Sequence, residues 1–275
     1  MSLPAMPSPD RNIHHSERPV SVINPAGKGR FLLVCEHASN HIPARLDNLG
    51  LDEDALASHI AWDIGAGALA EALCLKIDAP LVRSEISRLV YDCNRSSDAP
   101  DAIVEISDRR AIPGNSALDD AARRQRQAIA YTPFRSAISK AAQDRNAGFD
   151  RDWALVTIHS FTPVYEGKRR EVEIGILHSD EDTLLADAML ESSAHAARFI
   201  TRRNEPYAPT DGVIHTLQVH GLANGVANVM IEVRNDLLED TAAIASIADL
   251  LADWLCTAMR TLRARAPRAA EEARG

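Results

Sequence analysis

The chain predicts an α/β fold, a mixed and mostly parallel central sheet with helices on both faces. Three observations carry this. Short β-branched and apolar runs alternate with helical patterns, the sign of strands joined by helical crossovers. Those runs are continuously apolar rather than alternating, as expected of strands buried on both faces. And 275 residues with 45% apolar content suffice for one large core. Residues 29–265 read as one α/β domain. Residues 1–28 are polar and aperiodic and read as a poorly ordered arm, although Val20, Ile23 and Pro25 could dock. Residues 266–275, charged and Ala-rich, read as a flexible tail.

The elements follow in order. Phe31-Leu32-Leu33-Val34 predicts the first strand, running to residue 36. Residues 52–77 carry helical spacing through Leu56, Ile60, Ile64, Leu69 and Leu73, with a break expected near Asp63-Ile64-Gly65. Residues 80–83 and 89–91 predict short strands. A long helical tract starts near Asp119, and Pro133, which has no N–H to give, is expected to interrupt it. Residues 154–158 and 172–177 predict strands rich in β-branched residues. Residues 183–200 predict an amphipathic helix, residues 228–231 a fourth buried strand, and residues 241–262 the closing helix. There is no internal repeat.

Composition excludes several classes of function. A formal net charge of −9 offers no basic field to neutralise phosphates, so nucleic acid is not an expected partner, while a local cationic pocket remains allowed. No apolar span near about twenty residues is read, so no membrane helix is expected. The N-terminus lacks a charged segment followed by an apolar one, and the expected location is cytoplasmic. Cys35, Cys74, Cys93 and Cys256 form no CxxC pair and read as buried, reduced thiols rather than a zinc site. Nothing matches GxxxxGKS, GxGxxG or GxSxG. His14 and His15 read as arm residues.

Three apolar strands end in ionisable groups: Glu36 and His37 after the first, His159 and Ser160 after the second, Glu232 and then Arg234 after the third. Desolvating such groups is expensive unless they are paired or bind metal. In open α/β sheets, ligands bind at the carboxyl ends of strands. If these strands are parallel neighbours, their ends meet in one crevice. Two imidazoles and a carboxylate make a typical zinc set with a fourth position open to water, and a further carboxylate could be the general base. His178, after Gly175-Ile176-Leu177, is the rival for a metal position. His41 and His59 read as surface or supporting groups, and His220 lies in a loop able to cover the site. Asp63 has two readings, a cap for the helix from Ile64 or a metal ligand entering from a helix start. Arg88 and Arg95 flank a short apolar stretch and suit either bidentate capture of a substrate carboxylate or pairing with Asp92. Arg234 is a further cationic candidate. Lys168-Arg169-Arg170 reads as a solvated turn.

Taken together, these blocks resemble the N-formylglutamate amidohydrolase family. The resemblance rests on Cys35-Glu36-His37-Ala38-Ser39-Asn40 with Pro43, on His59-Ile60-Ala61-Trp62-Asp63-Ile64-Gly65, and on Ser87-Arg88-Leu89-Val90-Tyr91-Asp92-Cys93-Asn94-Arg95. His159-Ser160-Phe161-Thr162-Pro163, Ile174-Gly175-Ile176-Leu177 and Val229-Met230-Ile231-Glu232-Val233-Arg234-Asn235-Asp236 complete it. The resemblance implies a zinc-peptidase-like fold related to zinc carboxypeptidases and aspartoacylase, with 29–265 a hydrolase-type domain. It implies hydrolysis of a small anionic N-formyl or other N-acyl amino acid, such as N-formyl-L-glutamate. It also implies one Zn2+ ion on His37, His159 and an acid. Asn40 stands where the usual H-x-x-E has its acid, so Asp63 is the chosen ligand and Glu36 the alternative. By the same resemblance Glu232 is the catalytic glutamate; in the mechanism expected from these residues, zinc together with Arg88 polarises the formyl carbonyl. Asn94 and Arg95 then clamp the α-carboxylate, and Arg234 takes a side-chain carboxylate. The competing readings are an amidohydrolase for another N-acyl or peptide substrate, and a non-catalytic binding protein that keeps the fold.

Overall fold

Strands buried on both faces must find backbone partners in neighbouring strands. In the structure, a computed structural model describing residues 18–272, one seven-stranded sheet meets that need among the described residues. His14 and His15 lie outside them. The chain runs β1 (Val20–Ile23), β2 (Phe31–Cys35), α1 (Glu53–Ala57), α2 (Ala66–Lys76) and β3 (Leu81–Ser84). A small hairpin, β4 (Ile106–Ser107) and β5 (Arg110–Ala111), precedes α3 (Asp120–Ile129), α4 (Tyr131–Phe149) and β6 (Ala154–Phe161). A second hairpin, β7 (Val164–Tyr165) and β8 (Lys168–Arg169), leads to β9 (Ile174–Leu177), α5 (Leu184–Glu191), α6 (Ser193–Ala196) and β10 (Thr201–Arg203). β11 (Ala227–Arg234) and α7 (Thr241–Glu272) close the chain.

The sheet order is β1-β3-β2-β6-β11-β9-β10. The central four, β3, β2, β6 and β11, are parallel, while β1 and the β9–β10 pair run the other way. The fold is therefore mixed and mostly parallel, as the sequence predicts. β2, β6 and β11 are immediate neighbours. Val34 pairs with Thr157, Thr157 with Met230, and His159 with Glu232, so three polar strand ends lie abreast.

Side chains alternate along these strands and build two cores. Leu33, Val156 and Ile231 face α2, α5 and α7, where Leu69, Met189 and Trp254 are buried. Leu32, Val34 and Leu155 face the opposite way, toward Phe134 and Ile138 of α4. On that second face the pattern runs on from Val34 to Glu36, from Thr157 to His159 and from Met230 to Glu232. The apolar face thus becomes polar where the strands end.

Several expectations change. Residues 20–23 of the supposed arm form an edge strand, because Val20–Ile23 pairs with Leu81–Ser84. The helix from Thr241 continues through residues 266–272, part of the supposed tail. Residues 89–91 form no strand; Leu89 and Val90 are buried in a turn whose Leu89 carbonyl accepts from the Asn115 amide at 2.8 Å. Pro133 does not break its helix. It sits in the first turn of α4, where a missing N–H costs nothing, and the chain breaks one turn earlier at Ala130. The helix expected over 183–200 stops by Ala196 and yields to β10. One segment, Thr241–Arg265, is after all long and apolar enough to span a membrane by length and composition. Its apolar side, with Leu251, Trp254 and Leu255, is buried against the sheet and its helices.

Gly175 of β9 permits a close approach that matters for the site. A Cβ there would collide with the carbonyl oxygen of Glu205, at the start of the segment carrying Tyr207. Gly175→Ala should therefore cost about 1–3 kcal/mol of stability, read by chemical denaturation, as an overpacked core position does.

Candidate active site

His37 is the second residue after β2, and its carbonyl accepts the Asp63 N–H at 3.0 Å. That bond ties the loop ahead of α2 to the strand end. α2 is capped by Gly65 without a side-chain bond, so Asp63 does not serve as its cap. The carboxylate turns inward instead. Asp63 Oδ2 lies 2.8 Å from His159 Nδ1, 3.3 Å from His37 Nδ1 and 3.4 Å from the Ser160 N–H. Asp63 Oδ1 accepts from Arg88 Nη1 at 3.1 Å. One donor atom from each of His37, Asp63 and His159 lies within 4.8 Å of the others, and all three residues are buried.

Each imidazole has a second carboxylate behind it. His37 Nε2 is 2.7 Å from Asp92 Oδ1, and His159 Nε2 is 3.1 Å from Glu36 Oε2, off the axis of a hydrogen bond. A carboxylate behind an imidazole orients the ring and raises its basicity. Glu36 thus lies behind His159, not beside His37 and Asp63. Burial and Arg88 press the His37 pKa down, but Asp92 and Asp63 overcome them and raise it. Burial likewise opposes protonation of His159, and Glu36 and Asp63 raise it well above the usual range. Burial pushes the Asp63 and Asp92 carboxyls up, and the facing His37 leads the charges that hold both below their ordinary values. A cation entering this cluster must displace the imidazole protons.

Glu232 stands one strand away from His159, and its Oε2 is buried with no protein partner. Burial is the chief reason its pKa is pushed up to about 7; Asp63 adds to the effect, against the pull of His159. The cavity in front has a volume of about 430 Å³, within the range of small-molecule sites. Its wall includes His37, Asp63, His159, Glu232, Arg170 and Tyr207.

The predicted cationic residues divide. Arg88 lines the cavity, with Nη1 on Asp63 and Nη2 3.0 Å from Asp92 Oδ2. Arg95 lines it too, its Nε on Asp101 at 2.8 Å and Nη1 on the Gly212 carbonyl at 3.1 Å. Asn94 spends its amide on the neighbouring loop, donating to the Val213 carbonyl and accepting the Thr216 N–H. Arg234 does not line the cavity. Its side chain is turned to the carbonyls of Arg170, Glu171 and Val172 and to the carboxylates of Glu173 and Asp236. A role for Arg234 in holding a substrate carboxylate has no geometry behind it.

His178 also drops out. β9 is antiparallel to β11, so the residue after Leu177 lies at the opposite end of the sheet from His159. There it contacts the Ser179 carbonyl and Arg203. His59 pairs with Asp108 on a smaller adjoining pocket. His220 is buried, and burial lowers its pKa to about 4. Sequence reasoning missed three contributors: Asp92 as the partner of His37, and Arg170 with Tyr207 on the cavity wall. The Asp92 signal was its place between Arg88 and Arg95; Arg170 was hidden in a basic run that resembles a surface turn.

The N-formylglutamate amidohydrolase family model matches residues 29–239. No curated protein matches. The gene product Atu2144 from Agrobacterium tumefaciens has a crystal structure similar to this one, with a TM-score of 0.86 at 49% identity over 90% of this chain and 96% of that one. An N-formylglutamate amidohydrolase from Ralstonia eutropha JMP134 shares the fold, with a TM-score of 0.60 at 17% identity over 89% and 97%.

The buried Glu232 makes a prediction independent of catalysis. Its folded pKa is raised, so its contribution to stability is present below the unfolded value and lost as pH rises through about 7. Glu232→Gln should raise the melting temperature of the metal-free protein by about 5 °C near pH ~8 and change it little near pH ~5, as read by scanning calorimetry.

Proposed function

The chain belongs to the N-formylglutamate amidohydrolase family, and on that premise we propose that it hydrolyses the amide of an N-formyl or closely related N-acyl amino acid with the help of one divalent cation. The observation that carries this reading is the convergence of two imidazole Nδ1 atoms on Asp63 Oδ2 beside a buried, unpartnered Glu232. The donor set fits the ion. Asp63 Oδ2 lies 2.8 Å from His159 Nδ1 and 3.3 Å from His37 Nδ1, and the three donor atoms all lie within 4.8 Å of one another, a set of two nitrogens and one oxygen that a single ion could share. His37, Asp63 and His159 would hold it, with Asp92 and Glu36 behind the rings and Arg88 on the free Asp63 oxygen. Two nitrogens and a carboxylate favour zinc over magnesium or calcium.

When bound, the cation supplies a Lewis acid that lowers the pKa of a water and polarises a carbonyl. The chain's own groups do the rest. Glu232 accepts a proton from the attacking water as its oxygen bonds to the formyl carbon. As the C–N bond breaks, Glu232 returns that proton to the departing nitrogen, giving formate and a free amino acid. A carboxyl poised near neutrality suits both transfers, because neither protonation state is far from reach. Arg88 holds Asp63 and Asp92 in line and keeps a positive edge on the cavity. Arg95 is the group for the substrate's α-carboxylate, and Asn94 anchors the loop against which Arg95 rests. An anionic substrate is drawn to these guanidinium groups although the whole chain is acidic.

Formate release from N-formyl-L-glutamate should require metal, vanish with a strong chelator and return on adding zinc. Full activity in protein shown to be metal-free would overturn the reading. Glu232→Gln should retain the metal while kcat falls by about 10²–10⁴-fold, the usual range for a lost acid–base group. Asp92→Asn, which removes the charge behind His37, should weaken zinc affinity by about 10–100-fold in competition with a chromophoric chelator.

A further inference from the structure

A separate cavity of about 210 Å³ shares no lining residue with the one that holds Glu232. One of its walls comes from the segment 91–103 and the other from the start of α3. The first wall is apolar, with Ala102 and Ile103 each 3% exposed. Tyr91 lines it too and is just as buried, yet its hydroxyl has no hydrogen-bond partner among the described residues. Burial pushes the pKa of that hydroxyl up, so it keeps its proton and is a donor with nothing to receive it. A buried polar group left in this state is costly, and a ligand that accepts from it removes the cost.

The second wall is charged, with both signs present. Asp119 caps α3 by accepting the Ala122 N–H at 2.7 Å, which leaves Asp120 free of that duty. Arg123 and Arg124 follow Asp120 by three and four positions, so all three side chains share one helix face, and all three line the cavity. Among the described residues none of them forms an ion pair, either with one another or with a third group. Two guanidinium groups suit a carboxylate, which they can meet through paired N–H donors. The Asp120 carboxylate suits an ammonium. A plain anion would leave Asp120 unmatched, and a plain cation would face two arginines, whereas a zwitterion satisfies both signs.

We propose that this cavity binds a free α-amino acid with an apolar side chain. The carboxylate meets Arg123, Arg124 and the Tyr91 hydroxyl, the ammonium meets Asp120, and the side chain lies against Ala102 and Ile103. The proposal does not depend on the amide-hydrolase reading. Its place in the fold is close to the catalytic cavity all the same. The Asp92 N–H donates to the Ala102 carbonyl at 2.8 Å, and Asp101 accepts from Arg95 at 2.8 Å. An occupant of the cavity therefore rests on a segment that also positions the partner of His37 and pairs with Arg95.

The test titrates L-leucine into the full chain by calorimetry, and a dissociation constant on the order of 1 mM is expected for a ligand of this size. 4-Methylpentanoate, which lacks the ammonium, and 3-methylbutylamine, which lacks the carboxylate, should each bind about tenfold more weakly or worse. The double variant Arg123→Gln, Arg124→Gln should weaken L-leucine by about tenfold or more, and Tyr91→Phe by about 3–10-fold. Asp120→Asn should weaken L-leucine and leave 4-methylpentanoate unchanged. The three α3 side chains are exposed or partly exposed, so these substitutions keep the fold even if Tyr91→Phe does not. A free amino acid is also the class of product released in the proposed reaction, and hydrogen exchange separates the two cavities. L-Leucine should slow exchange across residues 91–103 in the wild type, and this protection should be lost in the double variant. Absence of binding at tens of millimolar overturns the proposal. So does an affinity unchanged in the double variant, 4-methylpentanoate binding as tightly as L-leucine, or protection confined to the cavity of Glu232.

Discussion

One buried carboxylate organises the site. Asp63 faces two imidazoles and a guanidinium at once, and its backbone N–H is bonded to the carbonyl of one of those histidines. An uncompensated charge in such a place would cost several kcal/mol, so each neighbour must hold its position for the carboxylate to stay ionised. The strand end of β2, the strand end of β6 and the entry to α2 are thereby locked together. What the geometry presents to a cation is a cluster already assembled and balanced by protons.

The second carboxylate has the opposite fate. Glu232 lies in the same cavity, yet it has no cationic partner in contact, and burial drives it toward the neutral form. Two acids with pKa values pushed apart by their surroundings are the usual arrangement for dividing labour between charge binding and proton transfer. The sheet accounts for the difference. His159 directs its ring toward Asp63 and Glu36, while Glu232, its register partner on β11, opens onto the cavity.

The arginines repeat the same principle with the sign reversed. Arg88 and Arg95 meet protein carboxylates, Arg234 serves the backbone of the segment 170–172, and Arg170 is kept apart from acids by a shell of rings. Arg234, expected at a substrate carboxylate, is turned to the backbone instead, and Arg170, expected on a solvated turn, lines the cavity.

Much was legible in the residues alone. Continuous apolar runs set the buried strands, their separation by helical patterns set the mostly parallel sheet, and the abrupt change from Val34 to Glu36-His37 and from Ile158 to His159 marked the end at which the polar groups gather. These are local properties, because burial and periodicity are written in the order of side chains. Strand direction and side-chain pairing are not. Whether His178 or His159 joins the cluster depends on β9 running against β11, and whether Asp63 caps a helix or faces two imidazoles depends on its approach to β2 and β6. The edge strand at residues 20–23 exists because its backbone pairs with residues about sixty positions away, a contact carried by N–H and C=O groups common to every residue and so invisible in side-chain pattern. The sequence by itself determined the layers and the polar edge; the tertiary structure alone decided which charges meet, since electrostatic pairing acts over a few ångströms of space and is indifferent to distance along the chain.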